Sequence, residues 1–98
     1  MSGSEAQKNI SHRVGIVDDH TMMREGLKVF VNSLDGFTTA WTAPGSREAI
    51  SLIEADTPEI VLVDLSLPDR DGLELVKDIV AIRPEVFILV VSMHQEKL

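Results

Sequence analysis

The amino-acid sequence predicts one α/β domain: a doubly wound parallel sheet with helices on both faces. Three observations predict it. Apolar runs of strand length alternate with stretches of helical periodicity, the rhythm of βαβ units with right-handed crossovers. The runs Ile60-Val61-Leu62-Val63 and Val86 to Val91 (VFILVV) show no in–out alternation, which is the habit of parallel strands buried on both faces. The strands run into polar residues at Asp18-Asp19, Asp64 and Ser92. Carboxyl ends of parallel strands share one sheet edge, the edge at which open α/β sheets bind ligands.

Taken in order, Met1 to His12 (MSGSEAQKNISH) is small, polar and aperiodic, and is expected to form a flexible tail. Val14, Ile16 and Val17 make a short first strand ending at Asp18-Asp19. A first helix starts at His20 or Thr21, with Met23, Leu27, Phe30, Val31 and Leu34 as its inward stripe and Asp35-Gly36 as its stop. Met22 and Met23 are expected to pack. Phe37 to Ala43 is rich in Thr and aromatics and reads as a second strand at a sheet edge, with Trp41 as a packing residue. After the Pro44-Gly45 turn, Ser46 is the expected N-cap of a second helix. That helix buries Ala49, Ile50, Leu52 and Ile53 and ends before Pro58. The third strand, Ile60 to Asp64, leads into a loop with Pro68, Asp69 and Gly72. Gly72 opens a third helix with Leu75, Val76, Ile79 and Ile82 inward, and Pro84 closes it. Val86 to Val91 is expected as a fourth, buried strand, and His94 to Leu98 as the first turn of another helix.

Composition narrows the function classes. Ninety-eight residues make one domain at most, with 44% apolar and 26% charged content ordinary for a globular domain. A formal net charge of −7 argues against direct binding of duplex nucleic acid or an anionic membrane. It leaves open a nucleic-acid-binding partner domain. With no cysteine there is no disulfide framework and no thiolate zinc site, which suits a cytoplasmic location. No apolar run approaches a membrane span, and Met1 to Arg13 lacks the apolar core of a signal peptide.

The polar strand ends carry the chemistry. Asp18, Asp19 and Asp64 on one edge repel one another, so either one takes up a proton or a cation sits among them. Oxygen ligands alone suit a hard ion, magnesium above all. A magnesium ion facing a carboxylate is the equipment for phosphoryl transfer onto that carboxylate. Each residue has a blander reading taken singly: Asp18-Asp19 as a helix-capping pair, Asp64 as a strand-end loop acid, Ser92 as a turn residue. Their joint placement favours the functional one. His20 and His94 have no Cys or second His at ligand spacing, and both are expected to be exposed with no metal role.

From Arg13 to Leu98 the chain resembles the receiver domain of bacterial two-component response regulators. The matching residues are Val14-Gly-Ile-Val-Asp-Asp19, Val61-Leu-Val-Asp-Leu-Ser-Leu-Pro68, Asp71-Gly72 and Val90-Val-Ser-Met93. The sequence distances from Asp19 to Asp64 and from Asp64 to Ser92 fit as well. Asp-Asp-His20 with Arg24-Glu-Gly-Leu27 resembles the NarL/FixJ type, whose members usually carry a C-terminal helix-turn-helix DNA-binding domain. The resemblance implies a flavodoxin-like sheet of order 2-1-3-4. It implies Asp64 as phosphoacceptor from a histidine kinase, and Ser92 as the switch hydroxyl. It implies Mg2+ held by Asp18, Asp19, Asp64 and the backbone carbonyl of Ser66. An output domain for transcription would respond. The family's fifth strand, the Lys at its end and the last helix have no counterpart in the sequence, and Lys97 lies in the helix after the fourth strand. The fourth strand would then be an outer strand through which the chain associates with itself.

Two other classes stay open at this point. One is a receiver-like interaction or dimerisation module that works without phosphorylation. The other is an enzyme on the same scaffold. A flavin site would want a neutral, hydroxyl-rich loop where Asp18-Asp19 stands. A magnesium phosphohydrolase with a nucleophilic Asp would want an acid where Ser66 stands. Apart from self-phosphorylation and slow self-dephosphorylation, no enzymatic turnover is expected.

Overall fold

The computed structural model describes residues 11–67 and 71–92. The remainder of the tail expectation, loop residues Pro68 and Asp69, and the segment containing Met93, His94 and Lys97 lie outside the described residues. Seven elements follow one another: β1 (His12–Val17), α1 (Thr21–Ser33), β2 (Phe37–Ala43), α2 (Ser46–Ala55), β3 (Ile60–Asp64), α3 (Gly72–Ile82) and β4 (Phe87–Val91). His12, expected in the tail, is the first residue of β1. The four strands form one parallel sheet in the order β2-β1-β3-β4, the fold class and order expected.

Alternation along the strands divides the apolar residues between two layers. Val17, Val61 and Val63 face α2 and α3, and with Ala43, Ala49, Ile53, Leu75 and Ile79 they form the larger core. Val14 and Ile16 point the other way, towards Val31 and Leu27 of α1, with Ile60 and Leu62 at the margin. The α1 helix rests on β1 and β2. It leaves the β3–β4 half of that face open, and Phe87 (64% exposed) and Leu89 (50%) are the result.

That arrangement corrects three expectations. The inward stripe of α1 is the single row Met23, Leu27 and Val31, spaced by four. Phe30 and Leu34 lie on its flank, beyond the strands that α1 covers, and are exposed. Met22 is 89% exposed and packs on nothing. The fourth strand is likewise not buried, because only its α3 side is partly covered, through Ile88. Val86, just before it, is the buried residue of that run.

Local signals explain the element ends. The chain leaves helical geometry at Leu34, whose ψ is 132°, and Gly36 adopts a left-handed φ of 83° in the turn into β2. Gly45, not Ser46, is the N-cap of α2, and Ser46 is its first residue. Asp71 caps α3, its Oδ1 accepting from the Leu73 N–H at 3.0 Å. At the amino ends of the strands Arg13 donates twice to Asp56, at 2.8 and 2.7 Å. This hydrogen-bonded pair holds the Asp56 carboxyl below its ordinary range.

Two glycines mark close approaches. The Trp41 ring lies on Gly15, where a Cβ would meet it at 2.6 Å. The register shift in the β1–β2 pairing falls beside it, between Val14 and Gly15. The Trp41 indole N–H donates to the Asp56 carbonyl at 3.0 Å, so Trp41 is a packing residue as expected. At Gly72 a Cβ would stand 2.5 Å from the Asp64 carbonyl oxygen and 2.7 Å from Leu65 Cα. Both are backbone atoms at the end of β3. Gly72→Ala therefore has to push α3 away from the strand that carries Asp64. We expect a loss of about 1–3 kcal/mol in urea unfolding, the range for overpacking at a tight contact. An unchanged midpoint would show that the β3–α3 junction gives way freely.

Candidate functional site: an acidic pocket at the strand ends

The sheet edge at the carboxyl ends of β1 and β3 gathers three acids. The two strands are neighbours, with Val17 paired to Val63. Asp18 follows β1 and Asp64 ends β3, so the pairing itself brings them together. Asp18 is 2% exposed and Asp64 4%. Asp19 is partly buried. One ligand atom from each of Asp18, Asp19, His20 and Asp64 lies within 4.8 Å of all the others.

Each acid is held by a short local contact. The Asp18 N–H donates to the Ala43 carbonyl of β2 (3.0 Å), and Arg24 Nη1 donates to the Asp18 carbonyl (2.7 Å). Asp18 Oδ1 accepts the His20 N–H at 2.8 Å, fixing the turn into α1. Asp64 Oδ1 accepts the Ser66 N–H at 3.2 Å. The loop after it is drawn closed by a bridge between Ser66 and Asp71, and by the Gly72 N–H donating to the Leu65 carbonyl (3.0 Å). Asp19 Oδ1 is buried without a hydrogen-bond partner, although His20 Nδ1 is 3.0 Å away. That contact has the distance of an ion pair but not the geometry of a hydrogen bond.

The electrostatics are those of a site short of positive charge. Burial pushes the Asp64 carboxyl above its ordinary range, and the nearby Asp18 and Asp19 charges push the same way. The Ser66 N–H and His20 oppose the shift. A buried carboxylate oxygen with no donor, beside two further acids, fits a divalent cation with oxygen ligands. The residues present therefore suit magnesium.

Of the expected site residues, Asp18, Asp19 and Asp64 converge. Ser66 touches Asp64 through its N–H. Ser92 is exposed and stands one residue past Val91, the partner of Asp64 in the β3–β4 pairing, so it shares the sheet edge. Sequence reasoning assigned His20 no metal role and Arg24 no part in the site, yet the structure brings both to it. His20 is exposed as expected, yet its ring turns back onto Asp18 and Asp19. Arg24, one turn into α1, anchors the Asp18 backbone. Adjacency to the acid pair was the available signal for His20. For Arg24 the helical offset was the only one.

Comparison with known proteins defines the class. Residues 14–98 match the family model described as the response regulator receiver domain. Two transcriptional regulatory proteins of Bacillus subtilis (strain 168) are similar. The uncharacterized YhcZ is 32% identical over 87% of this chain and 40% of its own length. YdfI is 33% identical over 89% of this chain and 41% of its own length. A LuxR-family two-component response regulator from Aurantimonas sp. SI85-9A1 superposes with a TM-score of 0.81 at 34% identity, covering 87% of this chain and 61% of that one. The signal receiver domain of the putative response regulator NarL from Mycobacterium tuberculosis gives 0.79 at 27%, covering 88% and 69%. The chain spans about two fifths of the length of the curated relatives.

The chain belongs to the response regulator receiver domain family. It is a receiver domain, the phosphoacceptor unit of two-component signalling, and its relatives include transcription regulators. Among the described residues no helix is long and apolar enough to cross a membrane.

Proposed function

We propose that Asp64 accepts the phosphoryl group, from the phosphohistidine of a histidine kinase, in a pocket that holds Mg2+ through Asp18, Asp19, Asp64 and the Ser66 carbonyl. The observation that carries this reading is the convergence of three carboxylates around a buried, partnerless oxygen of Asp19. A carboxylate oxygen of Asp64 forms the new O–P bond. The P–N bond of the donor breaks, and the donor imidazole keeps the electron pair and takes a proton from solvent. Magnesium held by these residues would supply positive charge to the carboxylates and to the phosphoryl oxygens. Asp18, fixed through the backbone N–H of residue 20 and the Arg24 guanidinium, keeps its carboxylate in place for that ion. The Ser66 N–H orients Asp64 by holding Oδ1. Ser92, on the same edge, would bond a phosphoryl oxygen through its hydroxyl and pass the change to β4.

In the parent protein the domain would act from the cytoplasm on a DNA-binding output domain. Beyond self-phosphorylation and slow self-dephosphorylation it would catalyse nothing.

The test is labelling with acetyl phosphate or phosphoramidate. With millimolar-range magnesium the chain should acquire an acid-stable, base-labile phosphoryl group, and chelation should prevent it. Magnesium should also raise the melting temperature by mass action. Labelling indifferent to chelation, together with a magnesium-independent melting temperature, would remove the metal from the reading.

A further inference from the structure

The fourth group of the pocket changes which ions it should accept. His20 is the residue preceding α1, yet its side chain does not cap that helix. Nδ1 instead lies 3.0 Å from Asp19 Oδ1 and 3.3 Å from Asp18 Oδ1. The first is an ion-pair distance and the second a hydrogen bond, and they bring the nitrogen among the acids' ligand atoms, all within 4.8 Å of one another. The ring is 68% exposed, so it meets the pocket from the solvent side and outside the core. Asp19 Oδ1, which it faces, is the buried oxygen that lacks a hydrogen bond.

An all-oxygen pocket selects hard ions, and magnesium keeps its waters in preference to an imidazole. An imidazole nitrogen beside carboxylates adds affinity for borderline ions in the Irving–Williams order. We infer that His20 is a nitrogen ligand that extends this magnesium-type pocket to borderline transition ions such as Co2+ and Ni2+. The inference rests on the acidic-pocket reading above and specifies its ion range. In this role His20 acts on metal choice and takes no part in phosphoryl transfer.

Calorimetric titration of the whole chain with Co2+ and, separately, with Mg2+ tests it, alongside the visible absorption spectrum of bound Co2+. His20→Gln should weaken Co2+ binding at least about tenfold, the lower end for a lost metal partner, while Mg2+ binding stays within about twofold. The Co2+ spectrum should change with loss of the nitrogen donor. Asp19→Asn should weaken both ions. If Asp19→Asn weakens both ions while His20→Gln leaves the Co2+ affinity and spectrum unaltered, or shifts both ions equally, the ligand role of His20 is overturned and the pocket stands. If neither ion binds the wild-type chain, the pocket and the inference fail together. Because His20 is exposed, the metal-free melting temperature of His20→Gln serves as the control for an intact fold.

Discussion

Asp64→Asn should abolish phosphoryl labelling and, in the metal-free protein, raise stability at neutral pH. The first effect is loss of the nucleophile. The second follows from burial. Folding takes the Asp64 carboxyl out of water beside two other acids and raises its pKa. A raised carboxyl pKa means that the folded state favours the protonated form. The associated cost is absent at pH below the ordinary carboxylate range and is complete once pH exceeds the raised value. Asparagine keeps the size and the acceptor for the Ser66 N–H but carries no charge. We expect a gain of about 1 kcal/mol near pH 7, several degrees in Tm for a domain this small, shrinking towards nothing in acid. Magnesium should narrow the gap by stabilising the wild type alone. Labelling that survives Asp64→Asn, or a lower metal-free Tm at neutral pH, would contradict the assignment.

A chain of these 98 residues should associate with itself through β4. The two sheet edges differ in how they are guarded. At the β2 edge Asn32 of α1 accepts the Thr39 N–H (2.8 Å), the Thr39 hydroxyl donates to the Lys28 carbonyl (3.4 Å), and a register shift bends the strand pairing. Such features discourage another strand from adding. At the β4 edge β3 is the only strand partner among the described residues. Phe87, Leu89 and Val90 are exposed there, and no charged residue or proline interrupts Phe87–Val91. A row of free backbone groups beside apolar side chains is a template for pairing. Light scattering over a dilution series should show dimers or larger species, and Leu89→Lys should shift them towards monomer. Leu89 is already half exposed, so a lysine there is compatible with the fold. A cooperative wild-type monomer at tens of micromolar would refute this.

The legible part of the molecule was the part set by periodicity. Alternating strand and helix signals yielded the elements, and the polar ends of the runs identified the acids. The sheet order came with the family resemblance. What stayed hidden depended on where one element sits upon another. Phe30 and Leu34 obey helical spacing as well as Leu27 does, but α1 rests chiefly on β1 and β2, so spacing could not separate the inner row from the flank. The fourth strand has the composition of a buried strand, and composition alone does not show that Phe87 and Leu89 are exposed. Ser46 is a better capping residue than Gly45, yet the backbone after Pro44 makes Gly45 the cap. The His20 ring was unreadable for a related reason: a residue at a helix entrance can turn its side chain either way, and the buried Asp19 oxygen is visible only in three dimensions.

The pairing of β1 with β3 has a consequence for how the domain acquires its pocket. Asp18 and Asp19 leave β1, but Asp64 arrives only after α1, β2 and α2 have been laid down. Contacts such as Val14 with Ile60 are distant in sequence, and closing that loop costs entropy before the contacts repay it. A chain that has formed β1, α1 and β2 therefore holds half a pocket, two acids without the third. The complete cation site is a property of the nearly finished fold, so an ion that needs all three acids cannot guide the early steps. A bound ion would act as a latch on the β1–β3 pairing, and its binding energy would oppose global unfolding instead of fraying at any one element.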